Sequence, residues 1–296
     1  MTAASFEARC PAKVNLALRV LARREDGYHE LDTVFQAIDL WDRLEIRPRS
    51  GAELVMTCDD PAVPTDERNL VLKAAERLRA AIGEKLPGAT FNLRKAIPAQ
   101  GGLGGGSSDA AGAILLCARY WGLEIAPDRL QEIGASLGAD VPFFLTGGTA
   151  RGRGRGDRIE PLPFVGQMGI LLGLPPFGIS TKQVFDGVQS QLTLPGNGVS
   201  LPPFCERKWP GDNDFSFVVN DLERIVFGFR PELRRFRDHL LAEGAGAAVM
   251  SGSGSTVYGI FRETQDLDQV AGRMKVRFPD WRLLPTRATE DLAHVI

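Results

Sequence analysis

Ile97-Pro98-Ala99-Gln100-Gly101-Gly102-Leu103-Gly104-Gly105-Gly106-Ser107-Ser108-Asp109, running on as AAGAILLCARYWG to Gly122, is the stretch from which the rest of the chain can be read. It has the form strand end, glycine loop, helix. Ser107 or Ser108 is the expected N-cap, Asp109 suits the first turn of a helix, and Gly122 marks the stop. A phosphate chain needs several backbone N–H groups converging on it, and side chains would block that approach. Glycines remove the side chains and permit positive φ. The helix that follows adds free N–H groups and the positive end of its dipole, and serine hydroxyls add donors to phosphate oxygens or a ligand for Mg²⁺. A flexible linker is the plainer alternative, but linkers are not normally clamped between a strand and a well-capped helix. No lysine follows the glycines, which excludes the GxxxxGK[ST] phosphate loop. A dinucleotide fingerprint fits the glycines badly, and no acidic residue closes a following strand.

Working outward, Phe6 to Ala22 alternates Val14, Leu16, Leu18 and Val20 at period two and predicts a strand. A turn at Arg23 to Gly27 follows, then short strand-like runs at 32–40, 42–47 and 52–57. Helices are expected at 68–82, 128–137, 181–188, 231–243 and 266–278. Strands are expected at 89–95, 169–174 and 257–261. The segment Ala150 to Pro163 reads as a boundary, dividing the chain into domains 1–156 and 157–296. Leu192 to Asp214, rich in Pro and Gly, reads as a long surface loop. The whole reads as α+β.

Further features carry chemistry. Lys13 and Asn15 share one face of the first strand and can hold an anion or an attacking hydroxyl; from spacing alone a solvated face is the plainer reading. Asp140, in Gly138-Ala139-Asp140-Val141-Pro142, sits just past a helix C-terminus, where the dipole disfavours a carboxylate; it is a candidate for function, against an ordinary turn residue as the plainer reading. Tyr28 and His29 leave a turn together; Tyr can stack on a flat ring and a His tip can hydrogen-bond a ring edge, though from the residues alone a surface turn is the plainer reading. Ser251 to Thr256 (SGSGST) is either a second loop supporting the phosphate site or a tight turn. Arg151 to Gly156 (RGRGRG) resembles a short RNA-binding element, against a solvated strand or linker.

The 296-residue chain is 44% hydrophobic and 24% charged, with net charge −2 and pI near 6.0. These values argue against a nucleic-acid partner or an anionic membrane surface. The four cysteines form no metal-ligand spacing and read as reduced thiols of a cytoplasmic protein. The N-terminal stretch lacks the apolar segment of a signal peptide, and no stretch approaches the length of a membrane span.

Taken in order, PAKVNLAL, PxxxGLGGGSSDAA, GADVPFF and SGSGST are similar to the GHMP kinase superfamily. The Gly27-Tyr28-His29-Glu30-Leu31 element and the triple glycine resemble the branch that phosphorylates the 2-hydroxyl of 4-diphosphocytidyl-2-C-methyl-D-erythritol, in the non-mevalonate route to isoprenoid precursors. The resemblance is dense over 10–160 and thinner beyond, apart from 247–261. It implies a two-domain GHMP-kinase-like fold with the active site in the interdomain cleft, ATP as phosphoryl donor and Mg²⁺ as its counterion. It implies Asp140 as general base and Lys13 as its partner. ATP would be held by Pro98 to Ser108, with Lys95 nearby. The substrate would be held by Asn15, by Tyr28 and His29 at the cytosine, by Phe185 as a second stacking ring, and by Thr181. The small-molecule partner would carry a cytidine diphosphate, with the protein a monomer or weak homodimer. Other kinases of the superfamily, acting on mevalonate, homoserine or a sugar, are the alternative, as is a non-catalytic nucleotide- or RNA-binding protein. The sequence departs from the pattern at Ala99-Gln100, where Met-Gly is usual, at Lys182, where proline is usual, and in an insertion at 192–214.

Overall fold

Phe6 to Arg23 form one strand, β1 (Phe6–Arg23), with both faces buried from Cys10 to Leu18. The computed structural model describes residues 5–83, 86–164, 166–188 and 215–296; the expected loop at 192–214 lies outside them. β1 pairs antiparallel with β2 (His29–Arg49) across the turn, with irregular register at Pro11/Ala12, Asn15/Ala17 and Val20/Ala22. The two runs expected at 32–40 and 42–47 are therefore one strand. Asp42 does not break it, because its carboxylate accepts from the backbone N–H groups of Ala96 (2.6 Å) and Ile97 (2.9 Å).

The larger sheet has the order β12-β1-β2-β4-β3, with β3 (Leu54–Cys58), β4 (Gly88–Arg94) and β12 (His294–Val295). β5 (Thr149–Gly154) pairs with β2 and β6 (Arg158–Leu162), and β8 (Val219–Asn220) runs parallel to β1. The smaller sheet has the order β11-β7-β10-β9 and is antiparallel throughout: β7 (Gly169–Leu174), β9 (Ala247–Met250), β10 (Val257–Phe261) and β11 (Arg282–Arg287). β11, with Pro285, lies at an edge, where a missing N–H costs no ladder bond.

On the larger sheet lie α1 (Leu70–Ile82), α2 (Gly105–Trp121), α3 (Pro127–Leu137) and the short α4 (Val141–Thr146). α1 is capped by the Asn69 side chain and stops at Gly83 in the left-handed region. α2 rides close over β1: a Cβ on Gly112 would lie 2.4 Å from Cys10 Sγ. Cys10 and Cys117 are buried free thiols, and the thiol pKa of each is raised by burial, so neither is a reactive thiolate. Around the smaller sheet pack α5 (Thr181–Val188), α6 (Glu223–Phe229), α7 (Pro231–Ala242) and α8 (Leu267–Arg277). Phe236 of α7 stacks on Trp281 at 4.1 Å, which requires glycine at 173 beneath it.

Two expectations change. α2 is capped by Gly104 in the left-handed region without a side-chain bond, so Ser107 and Ser108 lie inside the helix. The expected boundary after residue 156 falls in the β5–β6 hairpin, whose strands both belong to the larger sheet. The chain first passes to the smaller sheet between β6 and β7. The arginine run is thus a strand, as one reading had it, but only Arg153 of β5 is solvated. The Arg151 guanidinium pairs bidentately with Asp32 (2.7 and 2.6 Å), both buried, Arg155 pairs with Asp157, and Arg153 with Glu160. No described helix is long and apolar enough to cross a membrane.

Candidate active site

β1 carries Lys13 and Asn15 on one face, as the alternation requires, yet the face is not solvated: they are 3% and 2% exposed. Burying an ammonium demands partners. Lys13 Nζ donates to Asn15 Oδ1 at 2.7 Å and lies 3.4 Å from Asp140 Oδ2. Asn15 Nδ2 in turn donates to Thr33 Oγ1 at 2.8 Å, and Thr33 donates to the Ala17 carbonyl at 2.7 Å. The chain Thr33–Asn15–Lys13 holds the ammonium against the carboxylate. Asp140 differs from the sequence reading in one respect: it also occupies the N-cap position of α4, without a side-chain cap bond. Its side chain is 34% exposed and faces the cleft, so a carboxylate oxygen is left for another ligand.

The glycine loop lies alongside. The Lys13 backbone N–H donates to the Leu103 carbonyl at 2.9 Å, pinning loop to strand. Gly102 and Gly104 have φ of 75° and 74°. A Cβ on Gly102 would meet the Ser251 carbonyl oxygen at 2.2 Å, and one on Gly104 would meet the Phe144 ring at 2.7 Å. The SGSGST segment is the β9–β10 turn and is also the second loop: Ser251 Oγ donates to the Gly102 carbonyl (2.8 Å), and the Thr256 N–H to the Gly101 carbonyl (3.2 Å). Gln100 sits at φ 56°, the one non-glycine residue with positive φ among those described. This is the position where glycine is usual in the resembling family, and the left-handed backbone supplies the reason.

Lys95 is placed differently from the sequence reading. It does not line the cleft. Its ammonium is buried between Asp42 Oδ2 and Asp109 Oδ2 (2.8 Å to the latter), under the start of α2. Burial opposes its charge, but the pull of Asp109 and Asp42 overrides it, so its pKa stands above the ordinary lysine value. Burial pushes the Asp109 carboxyl up, and Asp42 adds to it against the pull of Lys95. Asp109 therefore serves this pair and not the helix dipole. Ser108 is fully buried, with its hydroxyl unpartnered. Ser107 is half-buried beside Gly138, and Gly106 is exposed.

At the other end of the cleft, His29 stacks on Phe185 with ring centroids 5.2 Å apart and 29° between planes. Nε2 of His29 is buried without a hydrogen-bond partner. Burial and then the charge of Arg23 lower the His29 pKa below 6.5, so the ring is neutral at pH 7. Tyr28 beside it is 57% exposed, with the Arg155 guanidinium 5.1 Å over its ring. Thr181 shares a 2.8 Å hydrogen bond with Ser253.

One cavity of about 1350 Å³ joins these parts. Lys13, Asn15, Tyr28, His29, Gln100, Gly102, Gly104, Asp140, Thr181 and Phe185 line it, together with residues 252–254 of the second loop. Pro98, Ala99, Gly101, Leu103, Gly105, Gly106, Ser107 and Ser108 do not; they form the far side of the glycine loop and the start of α2. Thr33 and Asn220 were missed from the sequence. Asn220 Nδ2 donates to the Met250 and Gly252 carbonyls at 2.8 and 2.7 Å and so shapes the second loop. The bonds by which Thr33 and Asn220 shape the site are long-range ones, which no local pattern signals.

A strand-borne ammonium beside a cleft carboxylate, under a glycine loop and across two sheets, is the arrangement of a GHMP kinase. Two family models match accordingly: GHMP kinases N terminal domain over residues 69–148 and GHMP kinases C terminal over residues 207–280. The 4-diphosphocytidyl-2-C-methyl-D-erythritol kinase of Pelotomaculum thermopropionicum is 40% identical over 276 residues, covering 93% of this chain and 95% of the relative. That of Moorella thermoacetica is 40% identical over 275 residues, covering 90% and 94%. A crystal structure of 4-(cytidine 5'-diphospho)-2C-methyl-D-erythritol kinase superposes with a TM-score of 0.76 at 33% identity, covering 96% of this chain and all of the other. A homoserine kinase from Cytophaga hutchinsonii superposes equally well, at 0.76, but at 18% identity and so in fold alone. The chain belongs to the 4-diphosphocytidyl-2-C-methyl-D-erythritol kinase family.

Proposed function

We propose that the chain transfers the γ-phosphoryl group of ATP to the 2-hydroxyl of 4-diphosphocytidyl-2-C-methyl-D-erythritol, a step of non-mevalonate isoprenoid precursor synthesis in the cytoplasm. The observation that carries this reading is that one cavity holds both the Lys13–Asp140 pair and the His29–Phe185 stack. The first is chemistry for an alcohol; the second is a slot for a flat base. Mevalonate, homoserine and simple sugars have no base to fill it.

Phosphoryl transfer is mostly positioning and charge neutralisation. Asp140 takes the proton of the acceptor hydroxyl as the new O–P bond forms, and ADP leaves with the electrons of the broken bond. Lys13 keeps the carboxylate oriented and faces the negative charge developing on the transferred group. Asn15 and Thr33 fix the ammonium. Tyr28, His29 and Phe185 hold the base: a neutral His29 offers one donor and one acceptor to its edge. Thr181 reaches the substrate from the smaller sheet.

The glycine loop from Pro98 to Gly106 cradles the ATP phosphates, with backbone N–H groups at the start of α2 turned toward them. Lys95 acts on the nucleotide through the backbone that it holds. Among the described residues no cluster of three or more His, Cys, Asp or Glu side chains is present. This donor set suits Mg²⁺ held mainly by phosphate oxygens, with the Ser107 hydroxyl as a protein oxygen beside it; when bound it neutralises phosphate charge.

A substrate panel tests the proposal. ADP release is expected with the cytidylyl substrate and at background level with homoserine, mevalonate or galactose. Comparable turnover of any of these would overturn it.

A further inference from the structure

The proposed substrate carries a diphosphate between its base and its alcohol, and a cleft that takes it must meet that charge. The cations lining the cleft are Lys13, Arg23, Arg155 and Lys182. Three have carboxylate partners. Lys13 lies against Asp140, Arg155 is held by two bonds to Asp157 (3.0 and 2.8 Å), and Lys182 pairs with Asp186 at 2.6 Å. Arg23 has no carboxylate within ion-pair distance among the described residues. Its neighbour Arg24 takes both nearby acids, Asp26 and Glu30. Arg23 ends β1 and stands directly opposite His29 of β2 in the antiparallel register. Cross-strand partners project to the same face with Cβ atoms about 5 Å apart. The lowered pKa of His29, to which the Arg23 charge contributes, reports the same proximity.

We propose that Arg23 is a specificity-determining residue that binds a phosphate of the substrate's diphosphate beside the base held by His29 and Phe185. The unpaired guanidinium offers a planar fork that suits phosphate oxygens bidentately. The device selects a nucleoside diphosphate tag over a bare nucleoside. This inference rests on the cytidylyl reading of the cleft.

The test is to titrate the protein with cytidine and with CDP at two salt concentrations, for wild type, Arg23→Gln and Arg23→Lys. Wild type is expected to bind CDP about ten- to a hundredfold more tightly than cytidine, with the difference shrinking at higher salt. Arg23→Gln is expected to lose that difference while keeping its cytidine affinity, and Arg23→Lys to restore part of it. In turnover, Arg23→Gln raises KM for the cytidylyl substrate about tenfold and leaves KM for ATP within about twofold. The ring titration of His29 moves up in Arg23→Gln with the melting temperature and the cytidine affinity unchanged, whereas a loss of structure would move all three. If cytidine binds but CDP binds no tighter, or if Arg23→Gln keeps the preference, the assignment of Arg23 is wrong and the base site stands. If wild type binds neither, the cytidylyl reading fails, and this inference with it.

Discussion

Asp140 keeps company with an ammonium ion at 3.4 Å while a third of its side chain remains open to the cleft. A group so placed can accept a proton without leaving its partner. Asp140→Asn is expected to fold normally and to lower kcat about 10²- to 10⁴-fold with smaller changes in either KM, measured in single turnovers. His29 makes a second residue-scale prediction. Its pKa is lowered by burial and by Arg23, so the unfolded chain takes up the proton more readily than the folded one. The stabilising contribution of the neutral ring is fully present above the unfolded value of about 6.5 and is lost as pH falls through the lower folded value. Cytidine affinity is expected to fall over the same acid window. An NMR titration of the His29 ring checks this; a midpoint at or above 6.5 would count against it. At this scale the gathering of Asp140, Tyr28 and His29 in one cleft was legible only through the family resemblance, since the local pattern alone read each as part of an ordinary turn. The burial of Lys13 was not legible, because period-two spacing names a face without saying whether anything covers it.

At the scale of elements, the glycine loop separates two kinds of glycine. Gly102 has φ 75°, and a Cβ there would lie 2.2 Å from the Ser251 carbonyl oxygen. Gly102→Ala is expected to destabilise the fold by about 1–3 kcal/mol, since backbone must move. Gly106 lies within α2, is exposed, and a Cβ there meets nothing nearer than Leu70 Cδ1 at 3.9 Å. Gly106→Ala is expected to keep or raise the melting temperature, helix propensity favouring it by up to about 1 kcal/mol, while raising KM for ATP. An unchanged KM for ATP would show that the loop does not approach the nucleotide there.

Beneath the loop, Lys95 joins β2, the end of β4 and α2 through Asp42 and Asp109. Lys95→Met leaves two buried carboxylates facing each other. It is expected to cost about 3–5 kcal/mol by chemical denaturation at neutral pH. The Asp109 carboxyl, already raised to about 7 by burial and by Asp42, loses the opposing pull of Lys95, so stability falls as pH rises from about 4 to 7. The helix was legible from its apolar run and its closing Gly122. Its cap was not, because Ser107 and Ser108 match the statistical preference, whereas the left-handed turn at Gly104 is set by the close approach of Phe144 and Lys13.

For the whole molecule, what joins the two sheets decides whether the two halves of the site stay in register. The fully buried Tyr258 of β10 donates to the Asn15 carbonyl of β1 at 2.8 Å. Tyr258→Phe leaves a buried carbonyl unsatisfied. It is expected to lower stability by about 1–2 kcal/mol, read from the urea midpoint, and to raise KM for the cytidylyl substrate, whose contacts come from both sheets. The class α+β and most elements could be read from periodicity and turn residues. Which strands share a sheet could not: β6, β8 and β12 join the larger sheet from far along the chain, through pairings that leave no local mark.

Phosphoryl transfer to the 2-hydroxyl of a cytidine-tagged alcohol leaves a distinctive mark in the ³¹P spectrum of the product. The carbon bearing that hydroxyl also bears the methyl group and so carries no hydrogen. Incubation with ATP and 4-diphosphocytidyl-2-C-methyl-D-erythritol is expected to yield a new phosphomonoester signal without three-bond proton coupling, the substrate's diphosphate signals being retained. A phosphomonoester split by carbon-bound protons, or release of ADP with no new phosphomonoester, would contradict it.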